Sequence, residues 1–301
     1  MRVWITGAGA IGPQGQGLGA LDDPTAAVPG GRVERIEGLD PIESRRVDRL
    51  SRMAVVAARE AVRRSEYPVD QLAGRTGVLL GTMTGGFSPS QTFLQRLLAT
   101  SGPPASPAVF TNAIRNGPAA HVALDLGLHG PGFTISLGQA SGLAALRCAA
   151  ELLDEGRAEA VLAGGAEEDT DEIAAILERR GAAPAEGAYL ALLERPDTAR
   201  ARGAAPLGAL LGCGRVSLPA LPWEPPVDAA AAERAVSAAL VQAGIERGEI
   251  DLELHGGDGM ARVLAALLRM GQDGGIRLAL VTAAGAGGHY EAVVLGLAGE
   301  S

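Results

Sequence analysis

Few residues of this chain are equipped for chemistry. Its 301 residues include four histidines (His121, His129, His255, His289), two cysteines (Cys148, Cys213) and no lysine, so every other basic residue is arginine. Any mechanism that needs a lysine ammonium is excluded. No set of Cys, His and carboxylates has metal-ligand spacing, and no metal or other cofactor is expected. Gly7-Ala-Gly9-Ala-Ile-Gly12 follows a short apolar run and matches the dinucleotide-binding spacing GxGxxG. In that motif the third glycine lies in a helix whose N-terminus faces pyrophosphate. Here Pro13, Gly15 and Gly17 follow at once, and no second strand ending in an acidic residue comes at the expected distance. The glycines read instead as a tight turn at the edge of the core.

The elements that must position these residues follow from apolar spacing. Val3–Thr6 reads as a strand opening into that glycine turn. Residues 44–64 carry apolar positions at helical period, with Ser44 as the expected N-cap. A strand at 77–81, a glycine-rich loop at 82–87 and a helix near 89–99 come next, followed by a loop with Pro103, Pro104 and Pro107. Further elements are a helix at 113–127, a strand at 133–136, a helix at 141–156, and strands at 160–163 and 189–193. After a junction at 195–205 the rhythm restarts, with strand 207–213, helix 229–243, strand 251–254, helix 259–270 and strands 277–283 and 290–296. The repeat points to a pseudo-duplicated α/β architecture, divided as residues 1–200 and 201–301. Apolar residues make up 47% of the chain, glycines number 43, and the net charge is −9. Such a charge argues against nucleic-acid binding. No run approaches the ~20 apolar residues of a membrane span, and no signal peptide is visible. The two cysteines lie far apart in sequence and in apolar surroundings, which fits a reducing cytoplasm without disulfides.

Several segments together resemble the β-ketoacyl synthases. They are RVWITGAGAIGPQG, RRVDRLSRMAVVAAREA, GRTGVLLGTMTGGF, LHGGDG, GAGGHYEAVVL and above all GPGFTISLGQASGLAALRCAAELLDEGRAEAVLAGGAEE at residues 130–168. The last is similar to the family's nucleophile segment of strand, sharp turn, small-residue helix and strand. The resemblance implies a thiolase-like layered α/β/α/β/α fold, shortened in its C-terminal half. Its departures carry the functional expectation. Where an active ketosynthase has a cysteine at the helix N-terminus, this chain has Gln139, and a neutral amide cannot form the acyl thioester. Gln-Ala-Ser-Gly resembles the corresponding stretch of chain length factors, the inactive partners in type II polyketide synthases. His255 matches the family's first catalytic histidine. The segment carrying the family's lysine and second histidine is missing between Met270 and the last strands. The gating phenylalanine of the family's glycine turn is Ala286, its threonine His289 and its asparagine Tyr290.

What the resemblance implies is a subunit that pairs with an active ketosynthase, works with acyl carrier protein, and walls the tunnel into which the polyketide grows. The positions that match tunnel-depth residues of chain length factors are Phe87, Ser90 and Leu94, spaced to share one helical face. The strand bearing Phe133, Thr134, Ile135 and Ser136 matches the dimer interface. Divergence and the compact C-terminal half resemble factors of highly reducing systems that make polyenes. Two other readings stay open: a malonyl-thioester decarboxylase that primes through Gln139, and a scaffold that docks acyl carrier protein.

Overall fold

The computed structural model describes residues 2–21, 31–40, 43–68, 72–99, 107–179 and 186–298. In chain order the elements are β1 (Val3–Gly12), β2 (Gly15–Gln16), α1 (Arg49–Ser65), β3 (Thr76–Gly81), α2 (Phe87–Leu98), α3 (Pro107–Asn112), α4 (Gly117–Leu126), β4 (Gly132–Ile135), α5 (Ser141–Asp154), β5 (Ala160–Glu167), α6 (Asp171–Glu178), β6 (Gly187–Glu194), α7 (Pro196–Ala201), β7 (Gly208–Ser217), α8 (Ala229–Ala243), β8 (Leu252–His255), α9 (Gly259–Gln272), β9 (Leu278–Gly285) and β10 (His289–Gly296).

The strands form one sheet in the order β4-β3-β5-β6-β1-β7-β10-β9-β8, with β2 as a short flap on β1. The N-terminal five, β4 to β1, and the C-terminal four, β7 to β8, share a pattern. In each half the first strand pairs antiparallel with the last, which pairs antiparallel with a strand that then runs parallel to the next. The halves join through β1 and β7 at residues 3–5 and 208–210. No described strand in the C-terminal half answers to β4. The shortening expected from sequence thus removes an edge strand and leaves the core of that half closed.

Five layers stack. α1 and α4 cover one face of the N-terminal half-sheet with a core of Ile11, Leu50, Met53, Val122 and Leu162. α5 and α9 form the central layer, burying Leu143, Leu146, Val263 and Leu264 against inward residues of both half-sheets. α8 covers the far face around Val236, Leu280, Tyr290 and Val294. This is the thiolase-like arrangement.

Two local expectations are corrected. Gly7–Gly12 is no turn, because β1 runs unbroken and wholly buried to Gly12. A Cβ at Gly7 would lie 2.0 Å from the Ala61 carbonyl oxygen, and one at Gly9 2.0 Å from that of Ala57. The glycines let the backbone of α1 rest directly on the strand. The same device recurs in the second half, where a Cβ at Gly212 or Gly214 would meet the carbonyl oxygens of Ala239 and Ala235 in α8 at 2.2 and 1.9 Å. The N-cap of α1 is Asp48 and not Ser44; its carboxylate accepts from the Ser51 N–H, and residues 43–46 form a 3-10 turn. Pro103 and Pro104 lie outside the described residues, whereas Pro107 opens α3. The sequence reading did not anticipate α3, α6 or α7, the last of which occupies the junction at 195–205.

Gly9→Ala therefore destabilises the protein by about 2 kcal/mol or more, the scale of overpacking a close-packed interior. Gly19→Ala, whose new methyl would meet nothing within 4 Å, changes little. Denaturant midpoints of the two variants check this, and equal midpoints would contradict it.

Candidate functional site

The site is built on the turn from β4 into α5. Gly138 takes a left-handed conformation (φ 61°), which reverses the chain so that Gln139 stands at the helix entrance. Ser141 braces the turn: its hydroxyl accepts from the Leu137 N–H at 2.9 Å and donates to the Gly138 carbonyl at 2.5 Å. The turn presses on the β9–β10 hairpin. A Cβ at Gly285 would fall 1.8 Å from the Leu137 carbonyl oxygen, and one at Gly138 2.9 Å from the Ala286 N. The N-terminus of α5 meets that of α9 at Gly142, where a Cβ would lie 2.8 Å from Met260 Cγ. The turn is thus braced by Ser141 and packed against both the β9–β10 hairpin and the start of α9.

The residue presented on it is exposed, and the Gln139 amide makes no hydrogen bond to the chain. It is therefore not a space-filling core residue. A helix N-terminus stabilises an anion, but an amide supplies none and cannot be acylated. Neither cysteine substitutes. Burial pushes the Cys213 thiol up to about 12 and raises that of Cys148, so both stay protonated. Both are free and lie in the expected apolar surroundings, Cys213 within the central core and Cys148 packed against it, with the buried Arg147–Glu291 ion pair near each.

His255 ends β8 and is exposed. Its Nδ1 is 2.9 Å from Thr282 Oγ1 and its Nε2 3.2 Å from Glu253, so both ring nitrogens are engaged. Glu253 is itself bonded to Arg247, which holds its carboxyl below the usual range. No hydrogen bond links His255 to Gln139. His289 lies with its Nδ1 3.1 Å from Ser217 Oγ, and the Tyr290 hydroxyl accepts from the Asp228 N–H at 2.9 Å. His121 Nε2 is 2.9 Å from Asn112 Oδ1. Among the described residues no group of three or more His, Cys, Asp or Glu could hold a metal, and no helix is long and apolar enough to cross a membrane.

Phe87, Ser90 and Leu94 all lie on α2, as their spacing requires. The Ser90 hydroxyl donates to the Ala113 carbonyl at 3.0 Å. Leu94 is 52% exposed, and no residue of α2 is buried. This helix is an uncovered layer and not ordinary core. It leans on α3 through Phe93 and Phe110, whose ring centroids are 5.3 Å apart. Leu97, Leu98, Phe110 and Ile114 are exposed nearby. Phe133, Thr134 and Ile135 lie on β4, and Ser136 follows it, accepting from Arg115 Nη1 at 3.0 Å. Among the described residues β4 pairs only with β3, which leaves its other edge open, and Phe133 is 39% exposed.

Sequence reasoning missed a buried carboxylate cluster at the end of β5. Glu167 accepts from the Met83 N–H at 2.5 Å and from the Thr84 N–H and hydroxyl at 2.8 and 2.5 Å. Glu168 accepts from the Ser88 N–H and hydroxyl at 3.0 and 2.8 Å. Burial, aided by the nearby charge of Asp258, pushes Glu167 up to about 7. Asp258 caps α9 through the N–H groups of Met260 and Ala261, and burial raises its carboxyl as well. The available signal was the Glu167-Glu168 pair after Gly164-Gly165-Ala166 at a strand end, where two acids must find partners.

This architecture defines a ketosynthase-type, thiolase-like protein. Residues 31–198 match the beta-ketoacyl synthase N-terminal domain, over half the chain, and the chain belongs to that family. It is 27% identical to 3-oxoacyl-[acyl-carrier-protein] synthase 2 of Staphylococcus aureus (strain N315), an alignment covering 85% of this chain and 72% of that one. It is 29% identical to nodulation protein E of Rhizobium meliloti (strain 1021), over 83% of this chain and 66% of that protein. Among solved structures, the ishigamide ketosynthase/chain length factor superposes with a TM-score of 0.86 at 20% identity, covering 99% of each chain. The AntDE:AntF complex, a type II acyl carrier protein with its hexaketide-bound ketosynthase, gives 0.80 at 19% identity, covering 98% and 99%.

Glu167 holds its proton more tightly folded than unfolded. The folded state therefore binds more protons between its ordinary 4.5 and about 7, and stability falls as pH rises through that window. The full shift corresponds to about 3 kcal/mol. Thermal midpoints fall between pH 5 and 8 in the native protein and fall less in Glu167→Gln. An equal fall in both would show that another group titrates.

Proposed function

We propose that this chain is a non-catalytic ketosynthase-like subunit, a chain length factor, that pairs with an active ketosynthase and shapes its elongation tunnel. The observation that carries this reading is Gln139: an intact nucleophile turn at the entrance of α5 presents an exposed amide where the family needs a thiolate. The remaining chemistry is also missing. The chain has no lysine, and both nitrogens of its first-histidine equivalent, His255, are engaged.

The face formed by α2, α3 and the open edge of β4 supports a partner. An exposed apolar patch beside an unpaired strand edge is an aggregation hazard unless another chain covers it. A second strand adding to β4, at Phe133, Thr134, Ile135 and Ser136, would extend the sheet across a dimer axis. Obligate interfaces of this kind bury upwards of ~2,000 Å². Covering this face would turn Leu94, Ser90 and Phe87 inward as tunnel wall. The resemblance to a ketosynthase/chain length factor structure and to one bound to acyl carrier protein supports both partners. The missing fifth strand of the second half fits the compact factors of highly reducing, polyene-making systems. The decarboxylase reading keeps one point in its favour, since the unpartnered Gln139 amide is free to bond a malonyl carboxylate or thioester oxygen.

The test is product length. Leu94→Phe, in complex with the partner ketosynthase, shortens the polyketide, because a ring replaces a branched chain on the tunnel face. A steric penalty of about 1.4 kcal/mol at the last extension shifts its rate about tenfold. Mass spectrometry of the products reads this directly. An unchanged distribution at normal assembly and turnover would remove α2 from the tunnel.

A further inference from the structure

α2 is an unusual wall. None of its residues is fully buried, residues 87–93 being half-buried and 94–98 exposed, so apolar packing holds it less firmly than the central helices. Its N-cap is Gly86, which contributes no side-chain hydrogen bond, so the helix does not cap itself. What holds it is polar. Glu168 takes the Ser88 N–H, a donor with no partner inside the helix, and the Ser88 hydroxyl as well. A carboxylate at a helix N-terminus also complements the macrodipole. The Thr84 hydroxyl links the two acids, accepting from the Glu168 N–H at 3.0 Å while donating to Glu167. Glu167 secures the loop before the helix through Met83 and Thr84. One turn further on, Gln91 Nε2 donates to Glu172 Oε1 of α6 at 3.0 Å. Among the described residues, the side of α2 away from these anchors carries the Ser90–Ala113 bond and the Phe93–Phe110 contact.

The anchor itself cannot drift. β5 lies in the middle of the N-terminal half-sheet, paired with β3 on one side and β6 on the other. Its last residue, Glu167, is half-buried and close enough to Asp258, the cap of α9 in the second half of the fold, to feel its charge. We propose that Glu167 and Glu168 are positioning residues that set tunnel depth by pinning the first turn of α2 to the end of β5. This inference rests on the tunnel reading above and adds to it the device that fixes the wall. The residues that touch the growing chain would be Phe87, Ser90 and Leu94. The two carboxylates touch none of it and act through the helix.

The experiment compares Glu168→Ala, Glu168→Gln and Ser88→Ala with the native subunit, each in complex with the partner ketosynthase. Two readouts are used: amide hydrogen exchange of residues 82–98 by mass spectrometry, and product-length distribution at matched turnover. Losing charge-assisted bonds at a helix start exposes those amides locally. Glu168→Ala speeds exchange over the first turns of α2 by about tenfold or more, with the central helices α5 and α9 unchanged, and Glu168→Gln restores part of the protection. The same order holds for product, whose single dominant length in the native complex spreads to neighbouring lengths in Glu168→Ala and narrows again in Glu168→Gln. Ser88→Ala, which removes one hydroxyl and leaves the core intact, gives a smaller shift of the same kind and keeps the test valid if Glu168→Ala does not fold. Unchanged exchange in α2 overturns the anchoring role whatever the products are. Faster exchange with unchanged products, in a system where Leu94→Phe does alter length, overturns the link from anchoring to depth. If Leu94→Phe is also without effect, the tunnel reading itself has failed and the depth role falls with it.

Discussion

Both outer helices of this fold lie on backbone and not on side chains. At Gly7 and Gly9 the carbonyl oxygens of Ala61 and Ala57 occupy the space where Cβ atoms would stand, and Gly214 and Gly212 repeat the contact with Ala235 and Ala239. Interiors tolerate neither voids nor added volume, so this close approach fixes the distance from each outer helix to its half-sheet. With those distances set, the two half-sheets can share one central pair of helices, α5 and α9, whose N-termini meet at Gly142. The turn presenting Gln139 is the entrance of the first of these helices. Its position is inherited from the layer geometry and not from any interaction of its own side chain.

That inheritance explains why the shape of the turn does not depend on the Gln139 side chain. The Ser141 brace, the left-handed Gly138 and the contact with the 285–288 hairpin are all structural requirements of the α5 entrance. None of them involves the Gln139 side chain. The side chain at 139 stands outside that framework, and here it is an exposed amide. What the protein still offers is surface. Among the described residues the outer edge of β4 is unpaired and no residue of α2 is fully buried.

The architecture was largely legible because it depends on periodicity. Apolar spacing marked all five helices of the layers, read at 44–64, 113–127, 141–156, 229–243 and 259–270 and found at Arg49–Ser65, Gly117–Leu126, Ser141–Asp154, Ala229–Ala243 and Gly259–Gln272, and the alternating elements marked the duplication. Gly7–Gly12 misled because a glycine-rich string reads as a turn, whereas here it is a buried strand whose smallness serves a helix one layer away. The N-cap at Asp48 was missed in favour of Ser44, since either side chain can cap and only the tertiary path of residues 43–46 distinguishes them. Short helices such as α3 and α6 carry too few periodic positions to stand out. The Glu167–Glu168 anchor was invisible for another reason: its partners lie about 80 residues upstream, and sequence does not show which loop a strand end will face.

The central claim is that acyl transfer passes through the partner and never through this chain. Intact-protein mass spectrometry of the complex, after exposure to acyl carrier protein loaded with an acyl thioester, tests it directly. The account predicts an acyl adduct on the ketosynthase alone, with the mass of this subunit unchanged. An acyl adduct on this chain, on either cysteine or elsewhere, would contradict it.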